Sequence, residues 1–184
     1  MSLIGVDLSH HNYPFQSNFG QFQIIKATEG STYIDNRFKN YMQENTGLIG
    51  CYHFARPDVK ANTPRKEALN FVKAVKPYLG RVILVLDWEG KALNYLQDYA
   101  LEFLREVKRL TGVTPIIYCS SYATKKLERV ATEKYPLWVA QYNVQSPKIY
   151  NWNSWILWQF TSKPFDVNLF AGTSEDWKKL AKQG

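Results

Sequence analysis

The sequence predicts an α/β fold: a small, irregular and flattened TIM-like β/α barrel with eight strands and about five helices. Short apolar runs alternate with amphipathic stretches along the chain, and most of these runs are apolar at nearly every position. Such runs are typical of strands buried on both faces, as in parallel sheets. The chain has 184 residues, fewer than the ~250 of a complete eightfold barrel. An open doubly wound sheet is the alternative.

Eight runs rich in apolar residues are the candidate strands, and the last of them is the weakest. They are Leu3–Leu8, Phe22–Ala27, Leu48–Phe54, Val82–Trp88, Thr114–Cys119, Leu137–Gln141, Ile156–Phe160 and Val167–Phe170.

Five helices are expected between and after these strands. Asp35 can cap the first helix, and Thr63-Pro64 combines an N-cap with a proline at the first position of the second. The other three are expected within Leu93–Leu110, over Ser121–Val130 and from Ser174 onwards. No repeat or linker divides the chain, so we expect one domain over residues 1–184.

The charge of the chain favours an anionic partner. Lys and Arg number 23 against 16 Asp and Glu, which gives +7 and suits nucleic acid, a membrane surface or a polyanionic cell wall. No run of five like charges and no nucleic-acid-binding motif occurs, which argues against nucleic acid. No apolar stretch reaches the ~18 residues of a membrane span.

The N-terminus and the cysteines give further expectations. Met1–Asp7 lacks the basic segment and the long apolar stretch of a signal peptide, so we expect synthesis in the cytoplasm. Cys51 and Cys119 lie in apolar runs and are expected to be buried free thiols. The histidines have no ligands at metal spacing, so we expect no metal site.

Four carboxylates lie where candidate strands begin or end. Asp7 ends the first strand, Asp87 and Glu89 end the fourth, and Asp166 immediately precedes the last. Residues two apart on a strand share a face, so Asp87 and Glu89 should point the same way. Because the chemistry of α/β barrels lies at the carboxyl ends of their strands, we expect the four to share one mouth.

Glycoside hydrolysis explains such a group of carboxylates. It needs one carboxyl that stays protonated near neutral pH and one carboxylate that stabilises positive charge on the sugar. Close like charges push pKa values apart and so separate these two roles. The alternative is that Asp87 and Glu89 form salt bridges or cap loops. Four carboxylates at one mouth, amid aromatic residues, favour the catalytic interpretation.

Aromatic residues recur near the ends of the candidate strands. Flat ring faces stack on sugars, and a cleft lined by them suits a polysaccharide. The candidate substrate-binding aromatic residues are Tyr52, Phe54, Tyr118, Trp138, Tyr142 and Trp158.

Glu29 and His53 are not expected to be catalytic. Glu29 follows the second strand and should pair with a cation such as Lys26 or Arg56. His53 is adjacent to Tyr52 and should point away from the mouth if Tyr52 points into it.

At these residues the chain resembles glycoside hydrolase family 25, the Chalaropsis-type lysozymes of fungi, bacteria and phage endolysins. The resemblance covers nearly the whole chain in the order of the family. The matching segments are Gly5–Asn12, Ile24–Gly30, Gly50–Pro57, Leu86–Gly90, Pro115–Tyr118, Leu137–Tyr142, Trp158–Phe160 and Asp166–Asn168. They add the amides Gln141 and Gln159 to the candidate substrate-binding residues.

The resemblance implies a muramidase without a cofactor. Such an enzyme cuts the β-1,4 bond between N-acetylmuramic acid and N-acetylglucosamine in peptidoglycan, with retention. Glu89 matches the general acid of the family. Asp87 matches the carboxylate that steers the N-acetyl group of the substrate or acts as nucleophile. Asp7 and Asp166 match the two further carboxylates of the cleft.

The resemblance also bears on partners and location. Many relatives carry a wall-binding module after the catalytic domain, so this chain is either a stand-alone enzyme or one part of a longer protein. Without a signal peptide, a phage or prophage endolysin released by a holin is expected to act on the bacterial wall. A monomer is the expected state.

Two other functions compete with this one. A chitinase of the N-acetyl-assisted type would carry Asp-x-Asp-x-Glu on its strand, whereas Val85 occupies the first of those Asp positions. A catalytically inactive wall-binding barrel is disfavoured because all four carboxylates are present.

Overall fold

The computed structural model describes residues 2–12 and 19–182. Within these residues the strands are β1 Leu3–Leu8, β2 Phe22–Glu29, β3 Tyr33–Ile34, β4 Leu48–Phe54, β5 Val82–Asp87, β6 Ile116–Ser120, β7 Leu137–Ala140, β8 Leu157–Thr161 and β9 Val167–Phe170. The α-helices are α1 Phe38–Glu44, α2 Pro64–Val75, α3 Gln97–Thr111, α4 Glu128–Thr132 and α5 Ser174–Lys182.

Eight of the nine strands form a closed barrel. Their order is β1-β9-β8-β7-β6-β5-β4-β2, and parallel pairing of β1 with β2 closes the ring. The short β3 adds an antiparallel partner at the end of β2 and has no counterpart in the sequence prediction. The predicted flattened barrel is confirmed, and the open doubly wound sheet is wrong because β1 is paired on both of its edges.

The last strand departs from the predicted parallel arrangement. Strand β9 is antiparallel to both of its neighbours, β8 and β1. Only residues 162–166 connect β8 to β9, whereas a parallel crossover needs a dozen residues or more. The reversal places the beginning of β9, and Asp166 before it, at the end of the barrel where the parallel strands finish.

Alternation along the strands produces two apolar layers. The inner layer fills the barrel, and the outer layer lies between the strands and the helices. Trp177 of α5 belongs to the inner layer: its ring packs on Phe22 and Phe170, and its Nε1 donates to the carbonyl of Ile49. These partners lie at the end of the barrel opposite Asp166, so α5 closes that end.

Local signals explain most of the helix boundaries. Thr63 caps α2 by accepting a hydrogen bond from the N–H of Lys66, and Gly112 ends α3 in the left-handed conformation. The helix predicted over Ser121–Val130 is wrong as a single element. A 3₁₀ helix over Ala123–Lys126 and the short α4 replace it, separated at Leu127 by a non-helical backbone conformation.

The outer layer also holds both cysteines. Cys51 and Cys119 are buried and free, as predicted, and burial raises the pKa of each thiol. No helix among the described residues is both long enough and apolar enough to cross a membrane.

Candidate active site

A cavity of about 250 Å³ opens at the end of the barrel where the parallel strands finish. The described residues that line it are all among the twelve site residues predicted from the sequence. They are Asp7, Tyr52, Asp87, Glu89, Tyr118, Trp138, Tyr142, Gln159 and Asp166.

Strand geometry brings the four carboxyls to this cavity. Asp87 is the last residue of β5 and pairs with Phe54 of β4 and Tyr118 of β6. Glu89 follows two residues later, so it continues along the same face. Asp7 lies on β1, which pairs with the antiparallel β9 that Asp166 precedes.

Burial raises the pKa values of all four carboxyls, and the charges of neighbouring carboxyls add to the rise for Asp7, Asp87 and Glu89. Burial is the largest cause for each of them. For Asp7, burial and the charge of Asp166 raise the pKa from 3.8 to about 7. The pKa of Asp87 is raised well above its ordinary value by burial and then by Glu89 and Asp7. The pKa of Glu89 is raised by burial and Asp166, while Lys26 opposes the rise. The site therefore retains protons close to neutral pH.

Two amides hold Asp7 in place. Gln159 Nε2 and Asn168 Nδ2 both donate to Oδ2 of Asp7, at 2.8 and 2.7 Å. The two amides are direct partners across β8 and β9. Because each donates to the ionised carboxylate, they lower the pKa of Asp7 and offset part of the effect of burial.

Aromatic side chains fix the orientation of these amides. Tyr118 and Tyr142 donate their hydroxyl hydrogens to Oε1 of Gln159, at 2.9 and 2.6 Å. Trp138 Nε1 donates to Oδ1 of Asn168 at 2.9 Å. Since the carbonyl oxygen of each amide is engaged by an aromatic donor, its NH₂ group is directed at Asp7.

Asp87 differs from Asp7 in its hydrogen bonding. Asp87 is 7% exposed, and its buried Oδ1 has no hydrogen-bond partner among the described residues. A buried polar atom without a partner is costly. Oδ1 is therefore an acceptor that a donor on a bound molecule can satisfy, or a site for a proton.

Three predicted residues, Phe54, Gln141 and Trp158, lie outside the lining of this cavity. Trp158 lies between Leu157 and Gln159 on β8, so alternation turns it to the outer layer, where Nε1 donates to the carbonyl of Gln141. The Gln141 side chain accepts from the N–H of Lys148.

Phe54 and its neighbour Glu29 contact Lys26. The ring centroid of Phe54 lies 4.9 Å from Nζ of Lys26. Glu29 forms ion pairs with Lys26 at 2.7 Å and Arg56 at 2.6 Å, as predicted from the sequence.

His53 points away from the cavity, also as predicted. It is fully buried, and its Nε2 lies 2.8 Å from Oε2 of Glu67 on α2. Its Nδ1 lies 2.8 Å from the hydroxyl of Thr28. Burial lowers the pKa of His53, and Glu67 opposes this change.

The sequence prediction missed Asn168 as a site residue. Asn168 is fully buried and joins Trp138 to Asp7 by hydrogen bonds. Asn168 lies on a candidate strand, two residues after Asp166, and residues two apart along a strand share a face. This spacing was the signal from which it could have been predicted.

The chain is similar to several known proteins. It is 33% identical over 170 residues to YegX of Escherichia coli strain K12, covering 85% of this chain and 61% of YegX. It is 29% identical to the lysozyme of Streptococcus phage Cp-9, covering 97% of this chain and 57% of that protein. The chain thus spans about three fifths of the length of these curated relatives.

The fold and the family agree with these similarities. The structure of a muramidase from Trichobolus zukalii matches with a TM-score of 0.84 at 29% identity, covering 99% of this chain and all of that one. The model of the glycosyl hydrolases family 25 matches residues 6–169. This match takes in most of the chain and all four carboxyls of the cavity, and the chain therefore belongs to glycosyl hydrolase family 25.

Proposed function

We propose that this chain is a lysozyme of the N-acetylmuramidase type, which cleaves the β-1,4 bond between N-acetylmuramic acid and N-acetylglucosamine in peptidoglycan. The observation that carries the proposal is the group of four carboxyls in one cavity, whose pKa values are all raised by burial and, for Asp7, Asp87 and Glu89, also by neighbouring carboxyls. Family membership supports it, as do the relatives named as a lysozyme and a muramidase.

Glu89 is the general acid in this proposal. It is half-buried and lines the cavity, so its carboxyl can reach a bound substrate. Its raised pKa, caused by burial and Asp166, favours the protonated form that donates to the oxygen of the leaving sugar.

Asp87 has the complementary role on the same strand end. Its buried Oδ1, which has no partner within the described part of the chain, suits the N–H of the substrate's N-acetyl group, which would place the acetyl oxygen for attack on the anomeric carbon. Direct attack by Asp87 is the other route. Both routes proceed by two displacements and give retention.

Asp7 and Asp166 complete the electrostatics of the cleft. Both raise the pKa of other carboxyls in the cavity, and Asp7 is kept in one orientation by its two amides. Among the aromatic residues of the lining, Tyr142 is 40% exposed and offers its ring to a sugar. Trp138 is almost wholly buried and forms part of the wall.

The proposed place of action is the bacterial cell wall, as part of a phage or prophage lysis system. The similarity to the lysozyme of Streptococcus phage Cp-9 supports this origin. We propose that residues 1–184 form one catalytic domain that acts as a monomer, and that a wall-binding module can accompany it in a longer protein.

The first test compares Glu89→Gln with wild type on purified peptidoglycan, following turbidity and new reducing ends. Glutamine keeps the shape of the side chain but donates no acidic proton, so we expect a loss of about 10²–10⁴-fold in rate. Glu102→Gln, which removes an exposed carboxyl on α3, is the matched control and should retain the rate.

Three other outcomes of these assays would each indicate a different function. Clearing of walls without new reducing ends would place the cut at an amide bond. Sedimentation with walls but no cleavage would indicate the inactive wall-binding barrel. Hydrolysis of chitin with peptidoglycan left intact would indicate the chitinase-type activity.

A further inference from the structure

A second pocket of about 370 Å³ lies beside the carboxylate cavity on the rim of β6 and β7. The two share strands: Tyr118 and Trp138 line the cavity, while Ser120 and Ala140, two residues further along the same strands, line the second pocket. Among the described residues, those that line it are Ser120, Ser121, Tyr122, Lys125, Ala140, Gln141, Lys148 and Tyr150. We call it the lysine pocket.

The lysine pocket is positively charged. Lys125 and Lys148 lie over the ring of Tyr150, with Nζ 4.6 and 5.4 Å from its centroid, and Lys125 also lies 5.4 Å from that of Tyr122. None of the described residues that line it carries a carboxylate. Within the described residues neither lysine forms an ion pair with an acid, which is also true of most other lysines of the chain. Two ammonium groups around one ring repel each other, and an anion between them would relieve the repulsion.

Hydrogen bonds hold the pocket in its shape. Gln141 accepts from the N–H of Lys148, and the hydroxyl of Ser121 donates to the carbonyl of Lys148. Thr124 accepts from the N–H of Tyr150 at 3.0 Å. The backbone that carries both Lys148 and Tyr150 is thus fixed to the rim of the barrel, and the aromatic faces are positioned before any ligand binds.

We infer that the lysine pocket binds a carboxylate of the peptide stem of the peptidoglycan strand whose sugars occupy the carboxylate cavity. This inference rests on the proposed function. The muramic acid ring carries its peptide on a lactyl group, so a stem leaves the cleft next to the scissile bond. A stem offers free carboxylates for the two lysines and short aliphatic side chains for the two tyrosine rings. The lysine pocket therefore favours glycan whose muramic acid carries a peptide stem.

The test compares two substrates that differ only in the stem. Both are prepared from peptidoglycan freed of teichoic acid, and one is then stripped of its peptides by an amidase. The measured quantity is the ratio of kcat/KM on stem-bearing glycan to kcat/KM on stripped glycan. Exposed ion pairs are individually weak, so the double variant Lys125→Gln/Lys148→Gln should lower this ratio about 3- to 10-fold. Salt at about 0.5 M should shrink the difference.

A matched double variant controls for net charge. Lys179→Gln/Lys182→Gln removes the same charge from α5, at the closed end of the barrel, and should leave the ratio unchanged. An unchanged ratio in the lysine-pocket variant would overturn the inference, and so would an equal loss on both substrates. A loss confined to walls that still carry teichoic acid would assign the pocket to a phosphate polymer and would also overturn it.

The same measurements separate this inference from the proposed function. New reducing ends from stripped glycan, lost in Glu89→Gln, support the muramidase activity whatever the lysine pocket does. If wild type releases reducing ends from neither substrate, the proposed function itself fails.

Discussion

Replacing Asp7 by asparagine should stabilise the protein at neutral and alkaline pH while impairing cleavage. Both amides that hold Asp7 donate to the same oxygen, Oδ2. The carbonyl oxygen of an asparagine can take that position and keep both hydrogen bonds. The substitution therefore removes an ionisable group from the cavity with little change in packing.

The sign and size of the effect follow from the pKa of Asp7. Burial and Asp166 raise this pKa from 3.8 to about 7 in the folded chain. The carboxyl therefore contributes stability that is fully present below its unfolded pKa of 3.8 and is lost as the pH rises through about 7. At about 1.4 kcal/mol per pKa unit, the loss is about 4 kcal/mol. Because Asp7 keeps some contact with solvent, we expect about 2–4 kcal/mol.

The assay is denaturant unfolding of wild type and Asp7→Asn from pH 4 to pH 8, followed by tryptophan fluorescence. The free energy of unfolding of the variant should exceed that of wild type by about 0.5 kcal/mol at pH 4, where the carboxyl of the unfolded chain has begun to ionise, and by about 2–4 kcal/mol at pH 8. Over the same pH range, the variant should cleave peptidoglycan more slowly than wild type.

Asp58→Asn is a control of opposite sign. Hydrogen bonding to Arg56 lowers the pKa of Asp58, so its contribution is present above the unfolded pKa and is lost as the pH falls through the folded pKa. Since both pKa values of Asp58 lie below pH 4, that variant should be less stable than wild type by a nearly constant amount from pH 4 to pH 8, and should converge with it only in stronger acid. A difference between Asp7→Asn and wild type that stays constant across the pH range would refute the reasoning.

Two further predictions concern stability. Gly5→Ala should lower the free energy of unfolding by about 1–3 kcal/mol, because its Cβ would lie 2.2 Å from the carbonyl oxygen of Phe22 on the paired strand. Gly47→Ala, with its nearest neighbour 3.5 Å away, should change it by less than about 0.5 kcal/mol in the same denaturation assay. Glu67→Ala should cost about 1–3 kcal/mol in thermal or denaturant unfolding, because buried Glu67 accepts hydrogen bonds from His53, the N–H of Arg56 and Tyr99, and its loss leaves these donors without their acceptor. A loss no larger than that of the exposed Glu102→Ala would contradict this role for Glu67.

The sequence predicted the barrel and its carboxylates because both depend on local pattern. Strands buried on both faces leave continuous apolar runs, and the period of two places Asp87 and Glu89 on one face. The antiparallel course of β9 was not predicted, because the composition of the short strand is the same in either direction. Only the brief 162–166 connection distinguishes the two directions.

Site details that depend on contacts between distant residues were beyond the sequence. Trp158 was assigned to the cleft by its position near a strand end and Gln141 by the family resemblance, but the Trp158 ring packs in the outer layer and the Gln141 side chain accepts from the N–H of Lys148. Asn168 was missed as a site residue because its importance depends on Asp7, 161 residues away, and on Trp138. The lysine pocket likewise brings Lys125 and Lys148 to the ring of Tyr150. The loop that carries Lys148 has no periodic pattern from which this contact could be predicted.

One end of the barrel contributes mainly to stability, and the other end carries the residues of the proposed chemistry. At the closed end, Trp177 fills the interior and donates its ring N–H to the carbonyl of Ile49, so its burial is favourable. At the open end, the interior is lined by Asp7 of β1 and Asp87 of β5. Burial opposes the ionisation of both carboxyls. The outer apolar layer must offset this cost, since it packs the helices against the same strands. A barrel with a well-filled closed end can therefore hold protonated carboxyls at its mouth, which is the condition that glycoside hydrolysis requires.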